Sequence, residues 1–269
     1  MINNTAQPTI KEDEVKKIDF FHDFIVFLKY LEKQPIQKTL KGNISLSDIE
    51  KLGEIFRQRK AWDEHKEFGW KITSERNIEV LTQIKILAQV MRLTYDRKNK
   101  LLLSKSGKDF LYKLTFEEQL TAIVLTFWQK VNWDYFSAGR EILGMSVTEI
   151  LQENQLTIWE MLLNKGSGWS DYSVFCENIK KQLDLSPFYE DADDYQWSLF
   201  MDIEYGLIYR NLARFGCIET EEKLVNGLEQ ISRFRPTEVG RYLFKRSLDQ
   251  DLQSFFAYLM KENRIIGNG

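Results

Sequence analysis

The sequence is short of proline, cysteine and histidine, and each shortage closes off a class of reading. Four prolines in 269 residues leave long stretches in which nothing interrupts a helix, and Leu, Glu, Lys, Gln and Ile dominate there. Cys176 and Cys217 form no CxxC pair, and His22 and His65 are the only histidines. That inventory is too small for a conventional zinc site and fits a reducing compartment. A long apolar run is missing as well. The most hydrophobic N-terminal stretch, Ile18 to Leu31, is broken by Asp19, His22, Asp23 and Lys29. It is too short and too charged for a membrane span, and signal-peptide flanks are absent, so a cytoplasmic protein is expected. Neither GxxxxGK[ST] nor GxSxG occurs, and the lone GxG of Lys165-Gly166-Ser167-Gly168 reads as a linker between helices. Neither histidine is spaced to a Ser or Cys nucleophile in a recognisable motif. No catalytic residues, cofactor or metal are therefore expected.

What is present is a chain with 43% hydrophobic and 29% charged residues, long enough for two domains with their own cores. Its charge is unevenly placed. Residues 1–114 hold 22 Lys/Arg against 16 Asp/Glu, net +6, whereas residues 115–269 hold 15 against 24, net −9. A basic half joined to an acidic half implies different partners for the two.

The chemistry concentrates in Ser74 to Leu114. Val80, Leu81, Ile84, Leu87, Ala88 and Met91 recur at helical spacing, and a second row holds Thr82, Lys85, Gln89 and Arg92. These four side chains can hydrogen-bond a phosphate or a base edge; they are equally what the outside of an amphipathic helix carries. Arg92-Leu93-Thr94-Tyr95 and Leu101-Leu102-Leu103 then flank Asp96-Arg97-Lys98-Asn99-Lys100, a polar turn between two short strands. Arg97, Lys98 and Lys100 suit DNA phosphates, although a solvated hairpin loop carries charge anyway. Ser104 opens the next helix.

Upstream, a helix is expected from Val15 to Lys33, ended by Pro35, and Pro35 to Thr39 is a candidate first strand. Ser47-Asp48-Ile49-Glu50 has the form of a capping box, and Arg57 to Gly69 reads as a polar connection tacked down by Trp62, Phe68 and Trp70. Thr39-Leu40-Lys41-Gly42-Asn43-Ile44-Ser45 before the capped helix, with Leu103-Ser104-Lys105-Ser106-Gly107 after the hairpin, resembles segments of uncharacterised bacterial winged-helix proteins. Similar segments accompany plasmid-encoded ORF-3-like proteins. The resemblance covers about residues 18–114. It implies a winged helix-turn-helix fold and a bacterial or mobile-element setting, and no reaction.

Downstream, Thr115-Phe116-Glu117-Glu118 caps a helix expected to reach Phe136, and a domain boundary is placed near it. Ser146-Val147-Thr148-Glu149 caps another to Asn164, and further helices are expected over 171–183, 193–215 and 249–262. The acidic cluster Glu190, Asp191, Asp193 and Asp194 has no calcium-loop glycine and reads as a helix start. Phe127-Trp128 through Trp133-Tyr135-Phe136 is the one dense aromatic run that suits an interface. Gly216 to Glu219 reads as a strand, Thr220 to Gln230 as an irregular wing and Ile231 to Arg235 as the return strand. The segment Pro236-Thr237-Glu238-Val239-Gly240-Arg241-Tyr242-Leu243-Phe244 aligns with Leu103 to Leu111: a hydroxyl, a glycine three residues on, then two hydrophobics.

The sequence therefore predicts a mainly α protein with small β-wings and two winged-helix modules joined by helices, a basic one over 1–114 and an acidic one over 115–269. The first is expected to bind duplex DNA through Thr82, Lys85, Gln89, Arg92, Arg97, Lys98 and Lys100. The second is expected to bind a protein partner or a second copy. The alternative is a non-enzymatic protein–protein adaptor whose winged helices do not touch nucleic acid.

Overall fold

The computed structural model describes residues 10–136, 139–142, 144–190, 195–225, 227–249, 254, 255 and 257. It is mainly helical with small antiparallel sheets of two or three strands. Among the described residues no helix is long and apolar enough to cross a membrane. The described residues divide into two compact units, a first built from 15–131 with 254, 255 and 257, and a second built from 132–249 with 10–14.

After the short helix α1 (Glu12–Lys17), the first unit is organised by α2 (Asp19–Lys33), which buries Phe20, Phe21, Phe24, Phe27, Leu28 and Leu31. Each such side chain is worth about 1.5–3 kcal/mol when removed from water. Gln34 takes extended backbone (φ −155, ψ 140) because it precedes Pro35, and the helix stops there. Strand β1 (Ile36–Gln37) and helix α3 (Leu46–Ile55) follow. The cap of α3 is Ser45, whose Oγ accepts from Asp48 N, rather than Ser47 as the sequence suggested. Asp48 decides the register: Tyr30 Oη and Gln37 N both donate to its carboxylate, at 2.7 and 3.1 Å. Asp23 is buried on α2 and accepts from Arg57 N and Gln58 N, so a buried carboxylate fixes the corner after α3. His22 Nδ1 lies 3.0 Å from the same carboxylate.

Arg57 to Gly69 contains a regular helix, α4 (Lys60–Glu67). Trp62 holds it down, donating from Nε1 to Ile49 O across Gly53, where a Cβ would lie 2.5 Å from the indole. Phe68 and Trp70, expected to tack this segment to the core, instead stack on each other in the open, 58% and 61% exposed. A 3₁₀ turn (Glu75–Asn77) capped by Ser74 precedes α5 (Glu79–Val90). Strands β2 (Thr94–Arg97) and β3 (Lys100–Leu103) complete a three-stranded sheet in the order β1-β3-β2, with Ile36 opposite Leu101 and Thr94 opposite Leu103. Then come α6 (Lys105–Lys113), capped by Ser104, and α7 (Phe116–Lys130). The Thr115–Glu118 capping box is formed as read from the sequence, but α7 ends at Lys130 and belongs to this first unit. Every residue of α7 from Gln119 to Trp128 is buried.

The second unit opens with a 3₁₀ turn (Trp133–Phe136) and a small hairpin, β4 (Glu141–Ile142) and β5 (Met145–Ser146). Its helices are α8 (Val147–Glu153), α9 (Gln155–Asn164), α10 (Tyr172–Gln182) and α11 (Tyr195–Ile203). Ser146 caps α8 as expected, but the helix breaks at Asn154. The expected helix over 193–215 runs as α11, then a π-helical stretch (Glu204–Leu212), then a 3₁₀ turn (Ala213–Phe215). Strands β6 (Ser170–Asp171), β7 (Ile218–Val225) and β8 (Leu228–Pro236) pair in the order β6-β8-β7, and α12 (Glu238–Asp249) closes the unit. The segment expected to be irregular is thus a long hairpin, with a register shift between Glu221 and Glu222. Asp191 to Asp194 and most of 249–262 lie outside the described residues. The aromatic run does not form an exposed surface: Phe127 and Trp128 are in the core of the first unit and Trp133 in that of the second, and only Tyr135 is largely exposed.

Candidate nucleic-acid interface

The two aligned nonapeptides do the same job in each unit. Ser104 Oγ accepts from Gly107 N and donates to Arg92 O; Thr237 Oγ1 accepts from Gly240 N and donates to Gly216 O. Ser104 N donates to Leu93 O and Thr237 N to Cys217 O. In both units the preceding helix ends on a left-handed residue, Arg92 (φ 56) or Gly216 (φ 69). The next amide closes back five residues, Leu93 N to Ala88 O and Cys217 N to Leu212 O, as in a Schellman cap. The glycines are required by proximity: a Cβ at Gly107 would lie 2.4 Å from Leu93 O, and one at Gly240 1.9 Å from Cys217 O.

This frame places the seven candidate residues very differently. Thr82 is buried, contrary to its expected place on an outer face, and its Oγ1 donates to Glu75 O at 2.6 Å. Lys85 is also turned inward. Its Nζ lies 2.5 Å from Glu75 Oε1 and donates to Gly42 O at 3.1 Å. Glu75 in turn accepts from Ile44 N. The polar row on α5 is therefore partly a buried clasp that holds the Thr39–Asn43 turn to the helix. The reason is packing: α5 lies against both α2 and α7, and even Gln83 is 1% exposed. Gln89 is half-buried, and Arg92 is exposed.

The wing keeps its charge outward. Lys98 (φ 49) and Asn99 (φ 57) are both left-handed, as the two central residues of a type I′ hairpin turn must be. Arg97 and Lys100 are cross-strand partners, two cations directly opposite each other. Arg92, Arg97, Lys98 and Lys100 take part in no ion pair with any described residue. The wing is nevertheless well anchored. Lys38 N and Gln37 Nε2 donate to Asn99 O, and Lys38 Nζ lies 2.6 Å from Asp96. The sequence reading missed this anchor, because Lys38 and Asp96 are 58 positions apart.

The second wing has the opposite electrostatics. Glu219 opposes Arg235 and Glu221 opposes Arg233, with carboxylate–guanidinium distances of 2.6 and 2.7 Å. Both guanidinium groups lie over the Trp169 ring, 4.8–5.0 Å from its centre. Its arginines are consumed within the sheet. Among the described residues no group of three His, Cys, Asp or Glu side chains converges on a metal site. No protein-family model, no curated protein and no solved structure matches the chain.

Proposed function

We propose that this chain is a tandem winged-helix protein whose first wing binds duplex DNA and whose second unit binds a protein partner or a second copy. The carrying observation is the uncompensated Arg97–Lys100 pair at the end of an anchored hairpin. Like charges directly opposite in a sheet are destabilising, and a polyanion laid across them reverses the sign. The element order supports the assignment: in both units a helix and a short strand are followed by further helices (three in the first unit, two and a π-helical stretch in the second) and then a hairpin, with the first strand beside the last. Burial of Thr82 and the inward ion pair of half-buried Lys85 with Glu75 remove them from the contact surface, so the reading rests on Arg92, Arg97, Lys98 and Lys100, with Gln89 at its edge. Contacts of that kind neutralise phosphates and carry little sequence information.

The second unit suits a different partner. Its wing pairs its own charges and exposes Leu224, 73% accessible, near the tip. The test is fluorescence anisotropy of a labelled random duplex at low salt with the intact protein. The expected result is binding that is lost when Arg97, Lys98 and Lys100 are all replaced by glutamate. No binding by the wild-type protein at micromolar concentration refutes the DNA reading and favours the adaptor.

A further inference from the structure

Beside the wing stands a second, smaller turn that the proposed function does not use. Lys38 and Ile44 pair across it, Thr39 N donates to Asn43 O, Gly42 N donates to Thr39 O, and Asn43 N donates to Thr39 Oγ1. Gly42 supplies the left-handed residue (φ 81). The turn is fixed from two sides: Lys85 Nζ donates to Gly42 O from α5, and Lys38 joins it to Asn99 and Asp96 of the wing. At its tip Leu40 is 99% exposed, the most exposed of the large hydrophobic side chains described. The hydrogen bonds on either side of Leu40 fix the turn that displays it. Lys41 follows it, and Lys98 stands at the tip of the adjoining hairpin.

We infer that Leu40 is an apolar wedge that enters the minor groove between two base pairs while Lys41, Arg97, Lys98 and Lys100 hold the flanking phosphates. This deepens the DNA reading and rests on it. Proteins that bind the minor groove frequently insert such an apolar side chain between base steps, partly unstack them and kink the duplex by about 20–90°. Rigid display, full exposure and a surround of cations are what that role needs. The predicted substrate is a bent duplex, with preference for flexible pyrimidine–purine steps rather than a base sequence.

The experiment uses a duplex of about two helical turns with a donor and an acceptor dye at its ends, titrated with the full-length protein. Wild type is expected to shorten the end-to-end distance. Leu40→Ala is expected to leave the duplex straight and to weaken binding about tenfold, the loss of a buried leucine contact. Its salt dependence should stay as steep as wild type, because the phosphate contacts remain. Leu40→Met restores bending if an apolar wedge is the requirement. Leu40 is 99% exposed, so thermal melts of the three proteins should coincide. Unchanged affinity and bending in Leu40→Ala overturn the wedge while leaving the wing reading intact. Failure of the wild type to bind any duplex overturns both. Leu40-dependent binding to vesicles of anionic phospholipid, without duplex binding, also overturns it and assigns the turn to a lipid surface.

Discussion

Neutralising the wing separates its electrostatic role from any structural one. Each phosphate contact releases counterions, contributing about 0.9 to the slope of log affinity against log salt. Replacing Arg97, Lys98 and Lys100 by glutamine should therefore flatten the slope by about 2.7 if all three touch phosphate. Between 50 and 200 mM salt those contacts account for roughly a 40-fold change in wild-type affinity, which the variant should no longer show. The fold should not suffer. All three side chains are exposed, and removing the Arg97–Lys100 opposition should raise stability by about 0.2–1 kcal/mol. Anisotropy titrations across a salt series give the slope, and urea denaturation gives the stability. A variant with wild-type slope and affinity would refute the assignment. A variant that is less stable would show that the wing charges hold the hairpin together instead.

Arg92 occupies the left-handed cap where the second unit has Gly216, so Arg92→Gly should stabilise the protein by about 0.5–1 kcal/mol in urea while lowering affinity for duplex. Gly240→Ala forces a Cβ against Cys217 O and Gly107→Ala one against Leu93 O; each should cost about 2–3 kcal/mol or more, read as a lower denaturation midpoint. Glu204 is 5% exposed, and burial, with Glu222 nearby, pushes its carboxyl up to about 7. A raised carboxyl binds its proton more tightly when folded. Its contribution is therefore intact below the unfolded value near 4.5 and is lost as pH rises towards 7, on the order of 2–3 kcal/mol. Glu204→Gln should remove that slope, so the stability gap between variant and wild type should widen from pH 5 to pH 8. A constant gap refutes it.

Local features were legible from the sequence because their causes are local. The Thr115–Glu118 box, the Ser104 and Ser146 caps and the stop at Pro35 each depend on residues within four positions of one another. The wing strands were legible from two apolar runs around a polar turn, and the Ser104/Thr237 echo from matching hydroxyl–glycine spacing. Which face of α5 meets solvent was not legible. A helical wheel assigns Thr82 and Lys85 to the polar side, but packing on both α2 and α7 and the carboxylate of Glu75 draw them inward. The cap of α3 moved from Ser47 to Ser45 because Asp48 is claimed by Tyr30 and Gln37, partners from earlier elements. Leu40 gave no signal either, since one leucine in a turn looks like any other until its neighbours are known to hold it at the surface. Sequence determined those starts, stops and turns that short-range hydrogen bonding alone governs. Tertiary structure decided which charges are spent inside the fold and which are left for a partner, because that depends on groups brought together from distant parts of the chain.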